Sequence, residues 1–142
     1  MKFELALAQM TVAGGQKEIN LKRAIERIAE AAAHGSSMVL LPETLDLGWT
    51  DPSSLSEAEP IPEGTPFRRL SAAAALHKIF VCAGLTERDG DDIFNSAVII
   101  DPGGELLSLH RKINELDIGH PYYSVGDRLQ VVKTELGTVG LM

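Results

Sequence analysis

"SSMVLLPETLDLGWT", residues 36–50, sets Met38, Val39, Leu40 and Leu41 in an unbroken apolar run and places Pro42 and Glu43 directly after it. Such a run reads as a strand buried on both faces. A carboxylate at its end loses several kcal/mol of hydration unless something compensates. Glu43 therefore either anchors the next turn, "TLDLG", or is a group whose protonation chemistry matters. In an open α/β sheet the carboxyl ends of the strands form the rim where ligands bind, and burial there would make Glu43 a better proton acceptor, as a general base requires.

Upstream, residues 3–12, "FELALAQMTV", read as a first strand, and "AGGQ" then breaks the chain. Residues 17–34 carry Leu21, Ala24, Ile25, Ile28 and Ala32 on one helical stripe and Lys22, Arg23, Glu26, Arg27 and Glu30 on the other face, with Gly35 where a left-handed cap belongs. A strand, a helix and a strand at this spacing predict a right-handed crossover between parallel strands. Downstream, "DPSSLSEAEPIPEG" (51–64) is a surface loop, and Thr65 and Pro66 signal a helix start, with Thr65 as N-cap, Pro66 at the first helical position and Phe67, Leu70 and Ala74 inward. "IFVCAGLTE" (79–87) and "DIFNSAVIID" (92–101) flank the turn signal "RDGD", and "LLSLHRKI" (106–113) continues a β-meander after "DPGGE". Residues 129–142, "LQVVKTELGTVGLM", rise into a further buried strand that stops without turn or cap, the pattern of a truncated domain. The sheet face carrying Leu40, Val98, Ile100 and Leu141 is then expected to be left open.

The fold class is α/β, one domain over residues 1–142, whose 44% hydrophobic content suits a real core. Thirteen Lys and Arg against 20 Asp and Glu leave a net charge of −7, which argues against nucleic-acid and anionic-membrane partners and for small molecules or proteins. No apolar stretch approaches the roughly 20 residues that span a bilayer. Residues 1–10 lack a basic leader with a cleavable apolar segment, and the single cysteine excludes an internal disulfide, so a cytoplasmic protein is expected.

Lys112, in "HRKINEL", alternates with His110 and Ser108 onto one strand face, where an inward lysine can stabilise a developing oxyanion; alternatively it is a solvated strand end. Glu115 follows three residues on, as a salt-bridge partner, a second acid or a loop carboxylate. Cys82 lies mid-strand without a base nearby and reads as core filling beneath the helix that starts at Pro66. His34, His77, His110 and His120 lack metal-ligand spacing, and "AGGQK" matches neither common phosphate-loop pattern, so no metal or cofactor is expected.

The Pro42-Glu43 pair followed by Gly48-Trp49, the "HRK" ending a meander strand, and "GD" (126–127) followed by a strand ending Gly-Leu-Met together resemble the nitrilase, or carbon–nitrogen hydrolase, superfamily across essentially the whole chain. The resemblance implies the N-terminal part of a four-layer α-β-β-α sandwich, a mixed sheet with covering helices. It implies that Glu43 is the general base and Lys112 the oxyanion stabiliser of a Glu-Lys-Cys site acting on an amide, nitrile or carbamoyl compound, with Glu115 as a further acid although its loop departs from the commoner pattern. The nucleophilic Cys is then expected just beyond Met142, the isolated chain is expected to be inactive, and the full-length protein is expected to be a homo-oligomer. Trp49 is a candidate pocket wall. A non-catalytic ligand- or protein-binding relative and an acyltransferase with the same three residues are the alternatives.

Overall fold

The computed structural model describes residues 2–142. Leu5–Leu7 (β1), Met38–Leu40 (β2), Phe80–Asp89 (β3), Asp92–Ile100 (β4) and Leu106–Arg111 (β5) form one sheet in that order. The first three strands run parallel, joined by the helices Lys17–Ala33 (α1) and Thr65–His77 (α3), and the last three form the antiparallel meander. The sheet is therefore mixed, with its helices supplied by the two parallel crossovers. Within residues 51–64 a single turn of helix, Ser54–Glu57 (α2), interrupts the loop. Gln130–Thr134 (β6) and Gly137–Leu141 (β7) make a separate two-stranded sheet.

Both long helices lie on one face. Leu21, Ala24 and Ile28 of α1 and Phe67, Leu70 and Ala74 of α3 close over Val39, Val81, Ala83, Val98 and Ile100. Gly35 ends α1 in the left-handed conformation at φ +83°, as its place after the apolar stripe predicts. The other face carries Met38, Phe80, Cys82 and Ile99, covered in part by Val132, Leu136, Val139 and Leu141 of the β6–β7 hairpin.

Several sequence expectations need correction. Residues 3–12 pair as a strand only over Leu5–Leu7, and 38–42 only over Met38–Leu40, because the first two ladders span just three residue pairs each. Leu40 is 40% exposed, so the run is not buried on both faces throughout. Val98 and Ile100 point into the helix layer instead of sharing the open face with Leu40 and Leu141. Cys82 lies on the face opposite α3, since strand alternation sends Val81 and Ala83 to the helices and Cys82 away from them. The N-cap of α3 is Gly64, with Thr65 already helical; the Glu59 carboxylate accepts the Thr65 N–H at 2.7 Å in place of a hydroxyl cap. Residues 129–142 form a hairpin, folded back at Glu135 and Leu136, and not one long strand.

Gly84 fixes how the chain leaves β2. Leu41 N–H bonds Cys82 O, Gly84 N–H bonds Pro42 O at 3.0 Å and Leu45 N–H bonds Gly84 O at 2.9 Å, so residues 41–45 ride directly on β3. A Cβ on Gly84 would stand 2.5 Å from Glu43 Cα and 2.9 Å from Pro42 O. Gly84→Ala is therefore expected to lower stability by about 1–3 kcal/mol, the usual penalty of overpacking a tight contact, in urea unfolding. A variant as stable as its parent would show that the 42–45 segment is not held in this close approach.

Candidate active site

Glu43 leaves the end of β2 and Lys112 follows β5, 69 positions later, yet Lys112 Nζ donates to Glu43 Oε1 at 2.8 Å. Register brings them together. Lys112 N–H bonds Asn95 O at 2.8 Å, continuing the β4–β5 ladder, and Asn95 stands opposite Thr86 on β3. Asn95 Nδ2 donates to Glu43 Oε1 at 2.5 Å and to Glu115 Oε2 at 3.1 Å. Glu115 Oε1 lies 3.3 Å from Lys112 Nζ, and its side chain is 1% exposed. One ammonium and one carboxamide thus hold two carboxylates at the same rim of the sheet.

Burial pushes the Glu115 carboxyl up, but the Asn95 amide, the Leu116 N–H and the Lys112 charge outweigh it and leave it below the usual carboxylate range. Burial works against the Lys112 charge, and the bonds to Glu43 and Glu115 more than reverse that, raising it above an ordinary lysine. Lys112 is therefore a permanent cation near neutral pH that donates hydrogen bonds, and Glu115 is an ionised acceptor that steadies Lys112 and Asn95. Glu43 is 48% exposed at its side chain, less buried than the strand-end reading implies. Its carboxylate goes to Lys112 and Asn95 and not to the following turn.

A cavity of 380 Å³ opens beside these groups. Glu43, Asn95 and Lys112 form its polar end, Gly84 and Ala97 its floor, and Cys82, His110, Leu141 and Met142 further walls. Burial pushes the Cys82 thiol up to about 11, so at neutral pH it is an unreactive thiol. The Trp49 ring centroid lies 5.9 Å from Lys112 Nζ, at the outer reach of a cation–π contact, and the ring does not line the cavity. Among the described residues no three His, Cys, Asp or Glu side chains converge to hold a metal ion.

The sequence profile of the carbon-nitrogen hydrolase family matches residues 4–142. The chain belongs to that family. Omega-amidase NIT2 of Xenopus tropicalis is 35% identical over 150 residues, covering 99% of this chain and 54% of that protein. The chloroplastic omega-amidase of Arabidopsis thaliana is 31% identical over 154 residues, covering 99% and 42%. The crystal structure of Saccharomyces cerevisiae Nit3, a member of the nitrilase superfamily, superposes with a TM-score of 0.87 at 27% identity over 97% of this chain and 54% of its own. This carbon-nitrogen hydrolase chain spans about half the length of the curated relatives it matches.

Of the residues singled out from the sequence, the fold joins Glu43, Lys112 and Glu115 directly and leaves Trp49 at their edge. Asn95, which bridges both carboxylates, escaped notice, although an Asn inside the apolar strand "DIFNSAVII" is an unfavourable strand residue and a legible sign. So did the supports of the Glu43 loop. Fully buried Asn20 bonds both backbone groups of Ala13 and reaches Asp46 O at 2.9 Å, tying the "AGGQ" turn to that loop. Asp46 Oδ1 accepts from Thr86 N–H at 3.0 Å and from the Thr86 hydroxyl at 3.2 Å, while Oδ2 is buried without a partner.

Desolvation pushes the Asp46 carboxyl up from 3.8 to about 6 against the hydrogen bonds from Thr86. A carboxyl raised by folding keeps its proton in the native state where the unfolded chain has lost it, so its contribution to stability falls as pH rises through that interval and is constant above it. Parent protein is expected to lose on the order of 2 kcal/mol from this group between pH 4 and 7, and Asp46→Asn to lack that component in urea unfolding. Identical pH dependence in the two proteins would contradict the buried, partly unpaired carboxylate.

Proposed function

We propose that this chain is the N-terminal portion of a single α-β-β-α hydrolase domain that cleaves non-peptide C–N bonds in small amides or nitriles through Glu43, Lys112 and a cysteine supplied by the chain just beyond Met142. The observation that carries this is the 2.8 Å bond between Glu43 and Lys112 at the rim of a cavity that Met142 also lines. A general base must stand beside the cation that stabilises the intermediate, and a residue following Met142 would emerge at the same cavity. The omega-amidase relatives support amides as the substrate class.

In this mechanism Glu43 accepts the thiol proton, and the thiolate attacks the carbonyl or nitrile carbon. The Lys112 ammonium donates to the oxygen or nitrogen that gains charge. It suits that task because its raised pKa keeps it protonated. With an amide, Glu43 returns the proton to the departing nitrogen and ammonia or an amine leaves; with a nitrile, a water first adds to the thioimidate and ammonia then leaves; in both cases a further water activated by the same carboxylate hydrolyses the thioester and frees the thiol. Glu115 remains ionised and holds Lys112 in place, and Asn95 fixes Glu43 Oε1. Cys82 takes no part, since no base touches it and its thiol is raised to about 11.

Ammonia release from a panel of small amides and nitriles by the full-length protein tests the assignment. Glu43→Gln and Lys112→Ala are each expected to lower kcat/KM by roughly 10²-fold or more, while Cys82→Ala retains most activity. Loss of release in Cys82→Ala with the fold intact would overturn it.

A further inference from the structure

The two carboxylate oxygens of Glu43 are not equivalent. The Lys112 ammonium and the Asn95 amide both donate to Oε1, at 2.8 and 2.5 Å. A carboxylate oxygen offers two lone pairs in its plane, so these two donors fill Oε1. A proton taken from a thiol then goes to Oε2.

The backbone beneath is held from β3. The Gly84 N–H bonds Pro42 O and the Gly84 carbonyl accepts the Leu45 N–H, so Glu43 and Thr44 bow together over one glycine. Thr44 is buried there in the left-handed region at φ +40°, a conformation that a β-branched residue keeps only where its surroundings impose it. With its backbone held, Glu43 turns its carboxylate according to what the tip meets. Lys112 alone does not decide this, because an ammonium on a flexible stem is satisfied by either oxygen. Asn95 does. Buried on β4, it also directs Nδ2 at Glu115 Oε2, 3.1 Å away. An ionised carboxylate only accepts, so Glu115 fixes the nitrogen side of the Asn95 amide toward the rim, and the second N–H of that nitrogen falls on Glu43 Oε1.

We propose that Asn95 is the positioning residue that decides which oxygen of Glu43 is the base: by holding Oε1 it leaves Oε2 to take the thiol proton and pass it to the departing nitrogen. This rests on the catalytic reading of Glu43 and Lys112 given above. Without Asn95 the carboxylate turns about its last bond, and Oε2 is divided between the nucleophile and Lys112.

The test uses the full-length protein, with ammonia release from acetamide, propionamide and butyramide and the Lys112 Cε titration by NMR as its two readouts. Asn95→Leu, of similar size but without donors, is expected to lower kcat about tenfold or more on the best of these amides. KM is expected to stay within about twofold, since orientation of the base acts on proton transfer and not on ground-state binding. Lys112 is expected to titrate above an ordinary lysine as in the parent, because its bonds to Glu43 and Glu115 survive. Should Asn95→Leu not fold, Asn95→Ser, too short to reach both carboxylates, is expected to show the same three results. A kcat within about threefold of the parent overturns the proposal and leaves the Glu43–Lys112 reading standing. A loss carried by KM, a Lys112 titration fallen to the ordinary value, or failure of both variants to fold makes Asn95 a support of the whole rim and overturns it too. If Glu43→Gln keeps full turnover, or the parent releases no ammonia from any of the three amides, the catalytic reading falls and the proposal with it.

Discussion

Two carboxylates and one ammonium meet at the rim of the sheet, and the surrounding structure depends on keeping them there. Lys112 is shared between Glu43 and Glu115, and Asn95 donates to both, so no member of the group moves without leaving another unpaired. The pressure is greatest at Glu115, whose side chain is almost wholly out of water. Removing its cation would strand a buried charge, a far larger penalty than loss of an exposed pair. The geometry of the proposed site and the local stability of this rim are thus one problem with one solution.

That solution is built from backbone close approaches. Gly84 lets residues 42–45 ride on β3, which aims Glu43 along the rim. Gly126 does the same for the returning chain: its N–H bonds Lys112 O at 2.9 Å, and a Cβ there would collide with the Arg111 carbonyl. The glycine of the "GD" motif is therefore a packing requirement of the lysine strand. On the helix face of the same strand, Arg111 bonds Glu87 and Asp89 and stacks 4.0 Å over Phe94, pinning the strand that delivers Lys112. Asn20, Asp46 and Thr86 hold the Glu43 loop from beneath, and Tyr123 takes the Thr50 N–H at 3.1 Å. A reactive group placed on loops is precise only when such supports lock it.

Much of this was legible in the sequence, and the remainder was hidden for definite reasons. The β-α-β opening, the hairpin at Gly90 and the Gly35 cap follow from periodicity and turn chemistry, which are local. Glu43 stood out because a charge at the end of an apolar run needs an explanation, and Lys112 because alternation puts it on one strand face with Ser108 and His110. Which face each strand turns to the helices was not legible: Val98, Ile99 and Ile100 are all apolar, so alternation alone does not tell which pair meets the helices. Cys82 was misplaced for the same reason. Asn95 acquires meaning only from cross-strand register, and Glu59 caps α3 from outside the helix, so neither shows in a short window.

The Glu43–Lys112 pair is tested most directly by following the Lys112 Cε resonance through its titration by NMR in the parent and in Glu43→Gln. A lysine held between Glu43 and Glu115 titrates above the ordinary value of 10.5, and loss of the Glu43 charge moves it back toward that value. Titration of Lys112 at or below 10.5, unmoved by Glu43→Gln, would contradict the pairing on which the site is built.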